Sequence, residues 1–330
     1  MNVLVTGGAG YIGSQITLDL HRAGHNPVIL DNFSKGHPKA IKAGKLVRGD
    51  IEDGKLVSGT IRKYDIEAVV HLAAYSLAGE SMTDPGKYFR NNIGNGLALL
   101  DAMREACIKY IVFSSTAAVY GEPRETPITE THEKNPTNYY GFSKLTFEKI
   151  LDAYARVYGM RYISLRYFNA AGADPEVEIG EDHKPESHLI PALLQTALGL
   201  KPYFELYGTD YPTHDGTCIR DYIHVKDLSS AHLLALEKLS AGGDSAIYNL
   251  GSGRGFSNRQ VINAVRKVTG KDIPIRERPR RPGDPAVLLA SSHKIQSDLG
   301  WTPEHSDLEN TVNTAWDWHR KHPRGYETET

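Results

Sequence analysis

The sequence predicts an α/β protein: a doubly wound parallel sheet followed by a smaller α/β region that binds a substrate. Three observations carry that reading. Short β-branched runs alternate with amphipathic helical stretches through the first half of the chain. A glycine triplet stands where the first strand meets the first helix. After about residue 170 the character changes to "NAAGADPEVEIGEDHKPESH", rich in glycine, proline and acids and without a period.

Taken in order, "NVLVTG" (2–7), "PVILD" (27–31), "KLVRGD" (45–50), "AVVHLAA" (68–74), "YIVFSS" (110–115) and "YISLRYFN" (162–169) read as buried strands. Amphipathic stretches at 12–24, 53–64, 88–106 and 141–158 read as the helices between them. Strands spaced by such helices make right-handed βαβ units, which cover both faces of a parallel sheet. A first domain is therefore expected at 1–170 and a second at 171–330, with late segments free to pack back on the first. In the second half, helical patterns lie at 188–199, 225–240, 257–269 and 308–321, and strand-like pieces near 204–207 and 246–250.

Composition narrows the function classes. The chain has 330 residues, 40% hydrophobic and 24% charged, with a formal net charge of −2. That allows an ample core and offers no basic surplus for nucleic acid or an anionic membrane. Cys107 and Cys218 lie far apart without CxxC spacing, so neither a disulfide framework nor a metal site is expected, and a reducing cytoplasm fits. The start "MNVLVTGGAG" has no basic leader before its short apolar run and reads as a strand, not a signal peptide. No run approaches the roughly eighteen apolar residues of a membrane span.

The first strand runs into "VLVTGGAGYIG", which places Gly7, Gly10 and Gly13 at the mouth of the first helix. Glycines there permit a sharp turn, a close backbone approach to a diphosphate, and tight helix–strand packing. This is the dinucleotide-binding (Rossmann) arrangement, with phosphates at the helix N-terminus. Asp31 ends the second strand 18 positions after Gly13, where a ribose hydroxyl needs an acceptor. Its carboxylate repels a 2′-phosphate and so favours NAD, while Lys35 and His37 nearby keep NADP open. Asp50, closing the third strand, is either an adenine acceptor or a turn aspartate.

"NYYGFSKL" (138–145) sets Tyr140 and Lys144 four apart, on one face of a helix. Alone, the pair reads as an amphipathic surface helix. A nearby ammonium would pull a phenol down from about 10 toward 7, roughly 4 kcal/mol of preference for the phenolate, and make it a general acid–base group.

The glycine triplet, the "SST" ending in Thr116 and the YxxxK together resemble the extended, nucleotide-sugar-modifying branch of the short-chain dehydrogenase/reductase superfamily. That resemblance implies that Thr116 orients the reacting alcohol, Tyr140 moves its proton, and Lys144 holds the nicotinamide ribose and lowers the tyrosine pKa. It further implies that NAD meets Tyr11, Ile12, Asn32, Ile51, Leu72, Ala73, Ala74, Ser76, Asn91, Ser114 and Phe168. Some members carry a lysine at the Ser76 position that contacts the diphosphate. Related dehydratases place Asp-Glu just after the Ser/Thr, and decarboxylases a Glu. This chain has Ala117 and Ala118. Methyl groups move no protons, so elimination is disfavoured and C4 epimerisation remains.

Almost end to end, "ILDNFS", "NNIGNGLALLDAM", "LRYFNAAGA", "YGTDYPTHDGTCIRDYIHVKDL" and "RRPGDPA" resemble the UDP-glucose 4-epimerase family. The resemblance implies conversion of UDP-galactose to UDP-glucose through a 4-keto intermediate, with tightly bound NAD taking and returning the hydride. Epimerases of N-acetylated, pentose or uronic acid nucleotides and nucleotide-sugar dehydrogenases stay open. On the substrate side it implies Arg220 and Arg281 at the diphosphate, where guanidinium forks suit phosphate oxygens. Asn169 and His188 stand nearby, Leu189 and Tyr207 form the uracil slot, and Asp284 accepts from the ribose. Leu288 lines the sugar pocket. The stretches 88–106 and 141–158 are expected to pair with a twin subunit in a homodimer.

Overall fold

The computed structural model describes residues 1–281 and 283–327. Six strands come from the first half: β1 (Asn2–Thr6), β2 (Asn26–Asp31), β3 (Lys45–Arg48), β4 (Ala68–His71), β5 (Tyr110–Thr116) and β6 (Arg161–Tyr167). Seven shorter ones follow: β7 (Asn169–Ala171), β8 (Phe204–Tyr207), β9 (Ile219–His224), β10 (Ala246–Leu250), β11 (Gly255–Ser257), β12 (Ile275–Arg278) and β13 (Val287–Leu288). The main sheet is parallel throughout, in the order β10-β6-β5-β4-β1-β2-β3. The order reverses beside β1, so the carboxyl ends of β1 and β4 flank the crevice in which such sheets bind ligands.

Alternation along each strand divides the core between the two faces. Val3 and Val5 of β1 pack with Ile16 and Leu20 of helix Tyr11–Arg22 and with Leu228 and Leu236 of helix Val225–Ser240. Leu4 points the other way, into a cluster with Val57, Leu99, Met103, Phe147 and Leu151 from helices Gly54–Lys63, Gly96–Glu105 and Tyr139–Tyr158. The sheet is thus doubly wound. A third cluster joins Leu193, Leu206, Val261, Ile262 and Val312 in the smaller region, from strand β8 and helices Leu189–Ala197, Asn258–Thr269 and Leu308–Lys321.

Helix Val225–Ser240 and strand β10, late in the chain, pack on the first sheet beside β6. Two expectations change. Strand β3 is an edge: Lys45, Leu46 and Arg48 are exposed, because only β2 pairs with it. The stretch 88–106 is not one regular α-helix: Phe89–Asn95 widens into a π-helix before Gly96–Glu105 resumes. Wide turns of that kind gather at functional sites.

Candidate active site

The glycine-rich loop is shaped by what it cannot hold. Gly7 has φ +73°, and a Cβ on it would stand 2.8 Å from the Ala73 nitrogen. A Cβ on Gly13 would lie 2.2 Å from the Gly7 carbonyl oxygen, so only glycine lets the helix start this close to the turn. Gly10 caps that helix, and its N–H donates to the Gly7 carbonyl at 3.1 Å. Asp31 closes the cradle: its carboxylate accepts from Ala9 N–H at 2.9 Å and Phe33 N–H at 2.8 Å. Burial raises its pKa, and those two N–H groups oppose the rise. Asn32 donates to Asp50 at 2.6 Å, joining the ends of β2 and β3. A turn without side chains, a helix N-terminus and an acid at the second strand's end fit a dinucleotide.

Ile12 lines the first core cluster and Ile51 the second. Leu72, Ala73 and Ala74 follow β4, and Leu72 and Ala73 N–H both bond to the Thr6 carbonyl. Tyr11 is buried, and its hydroxyl donates to the Gly172 carbonyl at 2.6 Å, tying the first helix to the smaller region. Asn91 bonds to Asn92, whose side chain pairs with both backbone groups of Tyr75 and donates to Ser143 at 3.0 Å. Ser76 is exposed just beyond.

Strand β5 ends at Thr116, whose hydroxyl accepts from Ala118 N–H at 3.1 Å and so caps a short turn. Helix Tyr139–Tyr158 starts opposite, capped by Asn138, whose side chain accepts from Gly141 N–H at 2.8 Å. This brings Tyr140 against Thr116 and Lys144 beneath them. Lys144 is 3% exposed, donates to the Ser114 carbonyl at 2.7 Å and sits 4.8 Å over the Phe113 ring. Burial lowers its pKa to about 7, with Glu148 opposing. For Tyr140 burial raises the pKa, and the Thr116 hydroxyl pulls it back. The expected depression by Lys144 is therefore not what the chain alone provides: the ammonium is spent on a carbonyl and desolvated, and the hydroxyl of Thr116 does the lowering.

Arg220 and Arg281 converge on Asp284. Arg220, on β9, donates to the Pro285 carbonyl at 2.8 Å and stands 3.8 Å from Asp284. Arg281 reaches the other Asp284 oxygen at 3.4 Å and lies 4.8 Å over the Tyr207 ring. Asn169 donates to the Asp221 carbonyl at 3.0 Å, and Leu189 lines the third core cluster with Phe204. Leu288 pairs with Arg220 across β13 and β9 and packs in a cluster with Ala117 and Phe168. His188 is turned elsewhere: its Nδ1 meets Glu181 at 2.5 Å.

A protein-family model described as "NAD dependent epimerase/dehydratase family" matches residues 3–251. The UDP-glucose 4-epimerase of Halalkalibacterium halodurans is 52% identical over 329 residues, covering 100% of this chain and 98% of its own. A crystal structure of UDP-glucose 4-epimerase from Brucella ovis in complex with NAD superposes with a TM-score of 0.93 at 47% identity, over 96% of this chain and 97% of that one. The Bifidobacterium longum UDP-glucose 4-epimerase, in complex with NAD+ and UDP, gives 0.94 at 37% identity, over 99% of this chain and 100% of that one. The chain belongs to the NAD dependent epimerase/dehydratase family.

Two acidic groups of this epimerase/dehydratase escaped the sequence reading because they support the site without lining it. Glu148 is buried behind Thr116, accepts from Ser115 at 2.6 Å and pairs with Arg166 through bonds of 2.6 and 2.9 Å. It lies four residues past Lys144, and that spacing was the available signal. Asp221, inside the "RDYIHV" motif, accepts from Ser252 N–H and its hydroxyl at 2.7 Å and from Gly253 and Ala290 N–H at 3.1 Å. It fixes the backbone after β10 to the strand that carries Arg220.

Proposed function

We propose that this chain interconverts UDP-galactose and UDP-glucose at C4 of the sugar through a 4-keto intermediate. The observation that carries this is the pairing of Tyr140 with Thr116, followed immediately by Ala117 and Ala118. A hydroxyl pair moves a proton at one oxygen, and no carboxylate follows it to drive elimination from the ketone.

Gly7, Gly10, Gly13 and Asp31 would hold NAD, which when bound supplies the acceptor and donor of the C4 hydride. Thr116 orients the 4-hydroxyl, Tyr140 takes its proton and later returns it, and Lys144 serves the nicotinamide ribose. Arg220 and Arg281 balance the diphosphate charge, Leu189 and Tyr207 take the uracil, and Asp284 the ribose. With the nucleotide gripped and the sugar held by few groups, the ketone can present its other face for the return of the hydride.

The working unit in this reading is a homodimer in the cytoplasm. Exposed apolar side chains on helix Tyr139–Tyr158 and its neighbours support the dimer. Both cysteines are free, as in a reducing compartment, and no helix among the described residues is long and apolar enough to cross a membrane. Incubation of purified protein with UDP-galactose, without added NAD, should yield UDP-glucose. A strict need for stoichiometric NAD, with NADH accumulating, overturns the reading.

A further inference from the structure

The segment before helix Leu189–Ala197 carries four metal-competent side chains within eight residues: Glu181, His183, Glu186 and His188. One donor atom from each lies within 4.8 Å of all the others. His188 Nδ1 is 2.5 Å from Glu181 and 3.6 Å from Glu186, and His183 Nδ1 is 3.1 Å and 4.0 Å from the same two carboxylates. A tetrahedral zinc ion with bonds of about 2.1 Å spaces its ligands by about 3.4 Å. The four measured separations bracket that value, so small side-chain rotations close the site.

We infer that Glu181, His183, Glu186 and His188 bind one divalent transition-metal ion of zinc's kind, in a structural site separate from the epimerase chemistry. Two carboxylates are buried side by side here, their side chains 4% and 3% exposed. Placing two anions together in a protein interior is costly without a cation. Glu186 uses one oxygen to accept from His188 N–H at 2.8 Å. Its other oxygen stands 4.0 Å from His183 Nδ1. Two imidazoles with two carboxylates suit zinc, whereas magnesium and calcium prefer all-oxygen sets. A cleft of about 210 Å³, lined by Glu181, His183, His319 and Arg324, supplies an entry path.

A bound ion would have a mechanical consequence. Lys35 donates to the Lys184 carbonyl at 3.0 Å, and His37 bonds to the Asp182 carbonyl at 2.9 Å. A metal would pin a strap that runs from the loop after β2 to the start of the helix that carries Leu189.

The test uses the full chain after removal of metal with a chelator. Zinc chloride titrated in a calorimeter should bind at one equivalent, and should raise Tm by a few degrees at about a hundredfold excess over Kd. Cobalt should give the intense visible absorption of tetrahedral coordination. His183→Ala and Glu186→Gln should each weaken binding at least about tenfold while leaving NAD content unchanged, and Cys107→Ser should leave binding intact. Should either variant fold poorly, zinc must still shield His183 and His188 of the unaltered protein from diethyl pyrocarbonate. Absence of binding, equal affinity in the variants, or no shielding would overturn the inference. None of these readouts depends on turnover of any sugar.

Discussion

Lys144 Nζ donates to the Ser114 carbonyl at 2.7 Å, so the cation of the YxxxK pair is anchored to the strand that ends in Thr116. The contact does not restore what burial takes away, and the ammonium's pKa stands at about 7 against an ordinary 10.5. Between those values the unfolded chain binds a proton that the folded chain has released, so stability rises with pH across that window. Below about pH 7 both states are protonated and the slope vanishes. NAD-stripped protein should therefore gain stability to denaturant as pH rises from about 7 to 10, by up to about 1.4 kcal/mol per unit. Lys144→Met should flatten that dependence. An equal slope in both proteins, measured as urea midpoints, would mean that the lysine is ordinarily solvated.

The Thr116 hydroxyl opposes the upward push that burial gives Tyr140. Tyr140 must be a phenolate to accept the sugar's proton, so the rate rises with pH through the phenol's pKa. Thr116→Val removes the opposing hydroxyl, and the acid limb of kcat should move to higher pH; Thr116→Ser should restore it. Tyr140→Phe should lower kcat by at least about a hundredfold, within the range of general acid–base contributions, with NAD still bound. Near-full activity of the phenylalanine variant would remove Tyr140 from the mechanism.

Strands β1, β2, β4, β5 and β6 were legible because each is an apolar run covered on both faces, which leaves a continuous apolar signature; β3, an exposed edge, lacks that cover. Strand β10 was visible too, but nothing in Ala246–Leu250 says which sheet it joins. That depends on helix Val225–Ser240 covering β5 and β6. The π-helix at Phe89–Asn95 left no periodic trace. It shows itself only in what it positions, the Asn92 side chain that clamps Tyr75 and Ser143. Of the site, the glycines, Asp31, Thr116, Tyr140 and Lys144 could be read because chemistry fixes their spacing. His188 could not be placed: its neighbours Glu181 and Glu186 lie in an aperiodic stretch, and their burial arises only on folding.

Phe142, Val157 and Tyr158 are 49%, 70% and 49% exposed on one long helix, with Tyr139 at its start 40% exposed and Met82 nearby at 53%. Phe89 extends the patch, with its ring 5.8 Å from both Tyr139 and Phe142. So much exposed apolar surface on antiparallel-capable helices fits a self-complementary interface of four helices, two from each subunit. Light scattering should give twice the mass of one chain. Phe142→Glu with Val157→Lys should give the single-chain mass, leaving the NAD site formed. A single-chain mass for the unaltered protein would end the dimer reading.

Leu288 shares a cluster with Ala117, the residue after Thr116, and with Phe168, and it sits in β13 directly opposite Arg220. In the proposed reading, its side chain lines the space for the sugar. Leucine is shorter than tyrosine and brings no hydroxyl to satisfy, so the pocket beside the sugar's C2 substituent should admit an N-acetyl group. The chain should therefore turn over UDP-N-acetylgalactosamine as well as UDP-galactose. Leu288→Tyr should remove the first activity selectively. A methylene distinguishes substrates by about 1–3 kcal/mol, and exclusion of a whole acetamido group should exceed that, more than about a hundredfold in the ratio of kcat/KM values. Because Leu288 lies on a short strand end and is only half-buried, the larger ring has room to turn toward the pocket without breaking the β9 pairing. Steady-state rates for both sugars in both proteins decide the matter. No turnover of the N-acetylated sugar by the unaltered protein, or equal loss of both activities in Leu288→Tyr, would place the size gate elsewhere.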